Sequence, residues 1–241
     1  MKPIRSILVV GVQRSGTSLL CEAIKSVGLA GIPEEYFLKI VEPHWMETRG
    51  DADVRSYINE AIVKGTSANG VFGAKIMWNT FCDLVRIAKE LPELSMRHER
   101  EVIDALFGDT TYIWIRRRDK VRQAVSWAKA AQTGIFSSLQ TLAKEEQQLP
   151  EYNYELVNNL HLLIQEGEIG WGSYFGDIGA NAIEVFYEDL TNNLDGTLET
   201  IMSACGIIKE QTILDSEIRN IKHSDRVNDE WVAKYNETQR A

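Results

Sequence analysis

The apolar run Ile4–Val10 stops at Gly11-Val12-Gln13-Arg14-Ser15-Gly16-Thr17-Ser18, and a helical stripe begins at once. In that stripe Leu19, Leu20, Ala23, Ile24 and Val27 share one face, and Gly28 suits a helix end. Three more short runs are rich in β-branched and aromatic residues: Val71–Met77, Thr111–Ile115 and Ala182–Tyr187. Each is largely apolar rather than alternating, as expected of strands covered on both faces. Helical spacing recurs between them: Val54, Tyr57, Ile58, Ala61 and Ile62; then Val121, Ala124, Val125 and Ala128; then Leu156, Val157, Leu160, Leu163 and Ile164. Strand alternating with helix predicts an α/β fold, a parallel central sheet flanked by helices. In such sheets ligands sit beyond the carboxyl ends of the strands, so the segments that follow each strand are where chemistry is to be sought.

A length of 241 residues suits one substantial domain, expected over 1–241. The net charge of −9 argues against a general nucleic-acid binder, although a local basic site fits inside an acidic protein. No apolar run approaches the length of a membrane span, and Ile4–Val10 is too short for a signal peptide, so a cytoplasmic location is expected. Cys21, Cys82 and Cys205 are scattered and read as small apolar residues. His44, His98, His161 and His223 lack metal-ligand spacing, so no metal site is expected.

The glycines of Gly11–Ser18 have the spacing of the nucleoside-triphosphate loop GxxxxGK[ST], but Thr17 stands where the lysine belongs. The backbone logic survives: small residues at a strand-to-helix turn aim amide N–H groups at an anion. The missing lysine removes the grip on a triphosphate, and Arg14 supplies positive charge from inside the loop. A phosphate ligand other than Mg-ATP is implied.

A second basic cluster, Arg116-Arg117-Arg118-Asp119-Lys120, follows the run Thr111–Ile115 directly. Its arginines sit at a strand's carboxyl end, on the same rim as the Arg14 loop, and guanidinium forks suit phosphate oxygens. Ser126 lies about two helical turns further on and is spaced to point back toward the rim. Two anion sites at two strand ends suit a nucleoside phosphorylated at both ends.

These residues carry a resemblance. Gln13–Phe37 closely resembles the opening of the Stf0-type bacterial sulfotransferases. The likeness continues through Phe72–Trp78, is most specific over Arg117–Gly134, resumes at Val185–Leu190, and is weak over Glu230–Tyr235. It implies a P-loop-containing sulfotransferase-like fold related to nucleotide kinases, with 3′-phosphoadenosine 5′-phosphosulfate (PAPS) as cosubstrate and no metal. It assigns Gln13, Arg14, Ser15, Gly16, Thr17 and Ser18 to the 5′-phosphosulfate. It assigns Ser126 and one arginine to the 3′-phosphate: Arg118 by spacing in the wider superfamily, Arg117 by the Stf0 pattern. The family's carboxylate after the first helix falls on Glu34, which then becomes the candidate catalytic base beside Arg14. From the residues alone, solvated surface charge is the better explanation of Glu34 or Glu35, and the resemblance reverses that for Glu34. Family members act on sugar hydroxyls and some form dimers, so a carbohydrate or glycolipid acceptor and a homodimer are expected. Phe136–Glu151 matches nothing in that pattern.

Glu34 follows a helix of about three turns, so the chain must bend again to bring it back to the rim. Trp78 and Trp127 are candidates for stacking on adenine or sugar, with buried packing as the alternative. Lys75, inside an apolar strand, is a charge aimed at the ligand or an edge residue. Lys129 and Gln132 are candidate ligand contacts, and Lys222 and Arg226 are candidates to close over the 3′-phosphate. Two rival functions fit the same pattern: a P-loop small-molecule kinase, and a non-catalytic nucleotide-binding protein on the same fold.

Overall fold

The structure, a computed structural model, describes residues 3–41, 53–136, 149–207 and 226–240. Lys222 and residues 137–148 of the unmatched segment lie outside them, as does the side chain of Arg226. The strands are β1 (Arg5–Gly11), β2 (Val71–Met77), β3 (Thr110–Arg116) and β4 (Ile183–Phe186). The expected runs became strands, shifted by a residue or so; Ile4 is exposed and precedes β1. All pairings are parallel, in the order β2-β1-β3-β4. The helices are α1 (Thr17–Val27), α2 (Val54–Gly65), α3 (Trp78–Ala88), α4 (Glu99–Phe107), α5 (Lys120–Thr133), α6 (Tyr154–Ile178), α7 (Tyr187–Asn192), α8 (Leu194–Ala204) and α9 (Arg226–Arg240). None of the described helices is long and apolar enough to cross a membrane.

The alternation of side chains along β1 divides the core. Ile7 and Val9 join α1 and α8 on one face, while Leu8 and Val10 join α2 to α6 on the other. Because both faces are covered, the strands are apolar throughout, and this is the pattern the sequence carries. On the second face Trp171 of α6 is fully buried, and its indole N–H donates to the Gly11 carbonyl over 2.9 Å. A buried tryptophan of this kind contributes about 3–5 kcal/mol, so α6 is firmly fixed to the end of β1.

Two features of the topology position the site. First, β1 connects outward to β2 on one side and has β3 on the other, so the winding reverses between β1 and β3, and the loops after those two strands flank the reversal. Second, the chain turns back after α1. A Cβ on Gly31, at φ 77°, would lie 2.2 Å from the Gly73 amide nitrogen, so side chains are barred from this crossing. The segment then runs beside β2, where the Lys75 N–H donates to the Glu34 carbonyl over 3.0 Å and Glu34 bridges Ala74. This supplies the bend that the sequence required of Glu34.

Candidate active site

The loop after β1 is held from below by its neighbours. Buried Gln123 of α5 donates its amide to the Gln13 carbonyl over 2.8 Å, and the Ser15 N–H donates to the Val12 carbonyl over 3.2 Å. Arg14 has φ 64°, a left-handed conformation unusual for a non-glycine residue and costly by about 1–3 kcal/mol. Gly16, at φ 99°, starts α1 with no side-chain cap, and no acidic residue lies in the first turn. The first N–H groups of α1 are therefore left for an anion. The Ser15 hydroxyl is buried and has no hydrogen-bond partner among the described residues.

The three arginines after β3 have different fates. Arg116 is held by Glu168 at 2.8 Å and Glu184 at 2.5 Å. Burial works against its charge, but those carboxylates outweigh it and hold its pKa above the ordinary arginine value. Arg118 forks onto both carboxylate oxygens of Asp189, each at 2.7 Å. Arg117, between them, is only 6% exposed, lies 4.7 Å over the Tyr187 ring, and leaves its buried Nε without a partner among the described residues. The loop itself is fixed by Glu188, which accepts from the Arg118 N–H at 3.0 Å, and by Asp119, which caps α5 through the Arg122 N–H at 2.8 Å.

Half-buried Arg14 reaches across from the first loop. Its Nε donates to the Ser126 hydroxyl over 3.1 Å, and its Nη1 donates to the Phe136 carbonyl. Burial first, then the charge of Arg117, lowers the pKa of Arg14; burial likewise lowers that of Arg117. Among the described residues no carboxylate pairs with either. Arg14, Arg117 and Ser126 thus meet in one place, and Glu188 and Asp119 act on Arg117 only through their charge, without an ion-pair contact among the described residues.

The β2 side contributes a separate chain of contacts. The Lys75 ammonium lies 3.3 Å from the Ser18 hydroxyl and 3.3 Å from a Glu35 carboxylate oxygen, with its side chain only 11% exposed. The Glu34 carboxylate instead pairs with Lys25, in the last turn of α1. Lys25 lies about 10 Å further along that helix than Ser18. The two adjacent glutamates therefore face different ends of α1, and it is Glu35 that is tied, through Lys75, to the start of α1 just after the β1 loop.

Other expectations resolve into packing. Trp78 stacks on Phe81 and meets Trp171 edge-on, and a Cβ on Gly170 would come 2.2 Å from its ring. Gln132 binds the Glu151 backbone through both of its amide atoms, at 2.9 and 2.8 Å. Sequence reasoning missed Tyr187, Gln123 and Glu168. Tyr187 follows a strand end and was findable by the rule that drew attention to Arg116–Arg118; the other two carry no local signal, because their partners are 110 and 52 residues away.

A model of the Stf0 sulphotransferase family matches residues 6–238. The trehalose 2-sulfotransferase of Mycobacterium tuberculosis (strain ATCC 35801 / TMC 107 / Erdman) is 26% identical, over 97% of this chain and 95% of that protein. The trehalose 2-sulfotransferase of Mycolicibacterium smegmatis (strain ATCC 700084 / mc(2)155) is 28% identical, over 95% of this chain and 93% of that protein. Among solved structures, the sulfotransferase domain of the Synechococcus PCC 7002 olefin synthase aligns over 100% of this chain and 96% of its own, with 15% identity and a TM-score of 0.47.

Proposed function

The chain belongs to the Stf0 sulphotransferase family and is a sulfotransferase, and from that premise we propose that it moves the sulfuryl group of PAPS to a hydroxyl of a carbohydrate or glycolipid acceptor. One observation carries the reading: buried Arg117 and half-buried Arg14 stand together, and among the described residues neither forms an ion pair with a carboxylate. Such a pair is stabilised by an anion, and two strand-end clusters suit a nucleotide with phosphates at both ends. The open N–H groups of α1 and the unpartnered Ser15 hydroxyl fit the 5′-phosphosulfate. Arg117 and Ser126 fit the 3′-phosphate, and Arg118, already forked onto Asp189, is the poorer candidate.

The chemistry follows from those positions. The acceptor oxygen attacks sulfur, and the bond from sulfur to the 5′-phosphate oxygen breaks. The products are a sulfate ester and adenosine 3′,5′-bisphosphate. Negative charge grows on the leaving phosphate, where the loop amides, the helix N-terminus and Arg14 stabilise it. The acceptor proton goes to a carboxylate. Glu35 is better supported for that role than Glu34, because Lys75 and Ser18 tie it to the phosphosulfate loop while Glu34 is paired with Lys25.

Calorimetry with adenosine 3′,5′-bisphosphate tests the donor half, and product mass from labelled PAPS with a panel of sugars tests the acceptor half. Glu35→Gln is expected to lower turnover by about 100-fold or more with nucleotide affinity kept, and Glu34→Gln to be mild. No heat on mixing the protein with the bisphosphate refutes the assignment; equal losses in the two glutamine variants refute the choice of base.

A further inference from the structure

In a Walker-type loop the lysine grips the phosphates, and the Ser or Thr after it places its hydroxyl on the divalent metal that neutralises the reacting groups. Here the lysine position is Thr17, which is buried and uncharged, and the Ser/Thr position is Ser18. The Ser18 hydroxyl nonetheless has a cation beside it, the Lys75 ammonium at 3.3 Å. The other partner of that ammonium is a carboxylate, Glu35 at 3.3 Å. A loop hydroxyl and a carboxylate from a neighbouring segment form the kind of donor set that holds a metal in the Walker arrangement.

We infer that Lys75 is a built-in replacement for that metal: a positioning residue whose fixed ammonium stands on the Ser18 hydroxyl and ties the phosphosulfate loop to Glu35. The inference rests on the sulfotransferase reading above and extends it to a residue outside both arginine clusters.

Three facts of the fold make Lys75 suited to this work. It sits on β2 opposite Val9, two positions before β1 ends at Gly11, so its stem rises beside the loop from a rigid strand. Its backbone N–H donates to the Glu34 carbonyl over 3.0 Å, so the strand that carries the ammonium also fixes the segment that carries Glu35. That segment crosses β2 closely, since a Cβ on Gly31 would lie 2.2 Å from the Gly73 amide nitrogen. One side chain thus couples the donor loop to the acceptor base. A strongly hydrated point charge held out of water in this way retains its electrostatic effect at short range.

The test compares Lys75→Met, Lys75→Arg and Lys75→Ala in the full chain. Trehalose serves as the acceptor probe, with release of the bisphosphate from PAPS into water as a second readout. The expected result is a fall in kcat of about 100-fold for Lys75→Met, with the Kd for adenosine 3′,5′-bisphosphate changed by less than about threefold. Lys75→Arg is expected to keep part of the lost rate, and added ethylammonium to restore part of it to Lys75→Ala. The native enzyme is expected to be indifferent to EDTA. Retained kcat in Lys75→Met overturns the inference. So does a combined loss of thermal stability, affinity and kcat that no amine restores, since that is the signature of a structural lysine. If the native chain neither binds the bisphosphate nor consumes PAPS, the sulfotransferase reading falls first, whatever the variants do.

Discussion

If Arg117 holds the 3′-phosphate as proposed, it is the residue on which function and stability pull in opposite directions. Replacing it with Met keeps most of its length and removes its charge. In the unliganded protein this takes away a cation that is 6% exposed, has no carboxylate partner among the described residues and is repelled by Arg14. The desolvation penalty on such an ion is several kcal/mol. Against that stand the loss of its position 4.7 Å over the Tyr187 ring, a contact of about 2 kcal/mol when desolvated, and the loss of the longer-range pull of Glu188 and Asp119. The balance favours the variant by about 1 kcal/mol or more, which for a chain of this size raises Tm by about 2–4 °C. In the proposed complex with the bisphosphate the sign is expected to reverse. Losing the charged hydrogen bonds to a phosphate costs about 3 kcal/mol, or about 100-fold in Kd. Arg118→Met is the control: its exposed fork on Asp189 predicts little change in either quantity. Thermal unfolding with and without nucleotide, together with calorimetry, reads both effects. A lowered Tm in Arg117→Met with unchanged affinity refutes the reasoning, as does a larger affinity loss in Arg118→Met.

Two further outcomes follow from the same geometry. Gly16→Ala places a Cβ 2.4 Å from Tyr187 Cδ2 at a residue with φ 99°, so it is expected to lower stability by about 1–3 kcal/mol and nucleotide affinity with it, read by chemical denaturation and calorimetry. Glu168→Gln keeps the shape of a side chain that is 10% exposed but removes the charge that holds Arg116 and Lys120, so it is expected to cost about 3 kcal/mol in denaturant unfolding.

The layered architecture was legible because an apolar strand covered on both faces leaves a local pattern, and so does a helix with one buried stripe. The turn Gly11–Ser18 was legible for the same reason: its glycines, its missing lysine and its helix start lie within eight consecutive residues. Neighbouring positions of similar character were not resolved in this way. Arg116, Arg117 and Arg118 are equivalent as text, and so are Glu34 and Glu35. What separates them is the direction in which each points, since adjacent residues face different surroundings.

The sequence by itself determined the α/β alternation, the phosphate-loop turn and the presence of two basic clusters at strand ends, because each is written in residues close along the chain. Only the tertiary structure decided which arginine stays unpaired, which glutamate joins the loop, and that Lys75 stands on Ser18. The arginine contacts and the Lys75–Ser18 contact join residues 52 to 112 apart, and the Lys75–Glu35 pair joins two separate segments. An ion pair or a desolvated charge is fixed by which groups the fold brings within a few ångströms, and a local pattern holds no record of that distance.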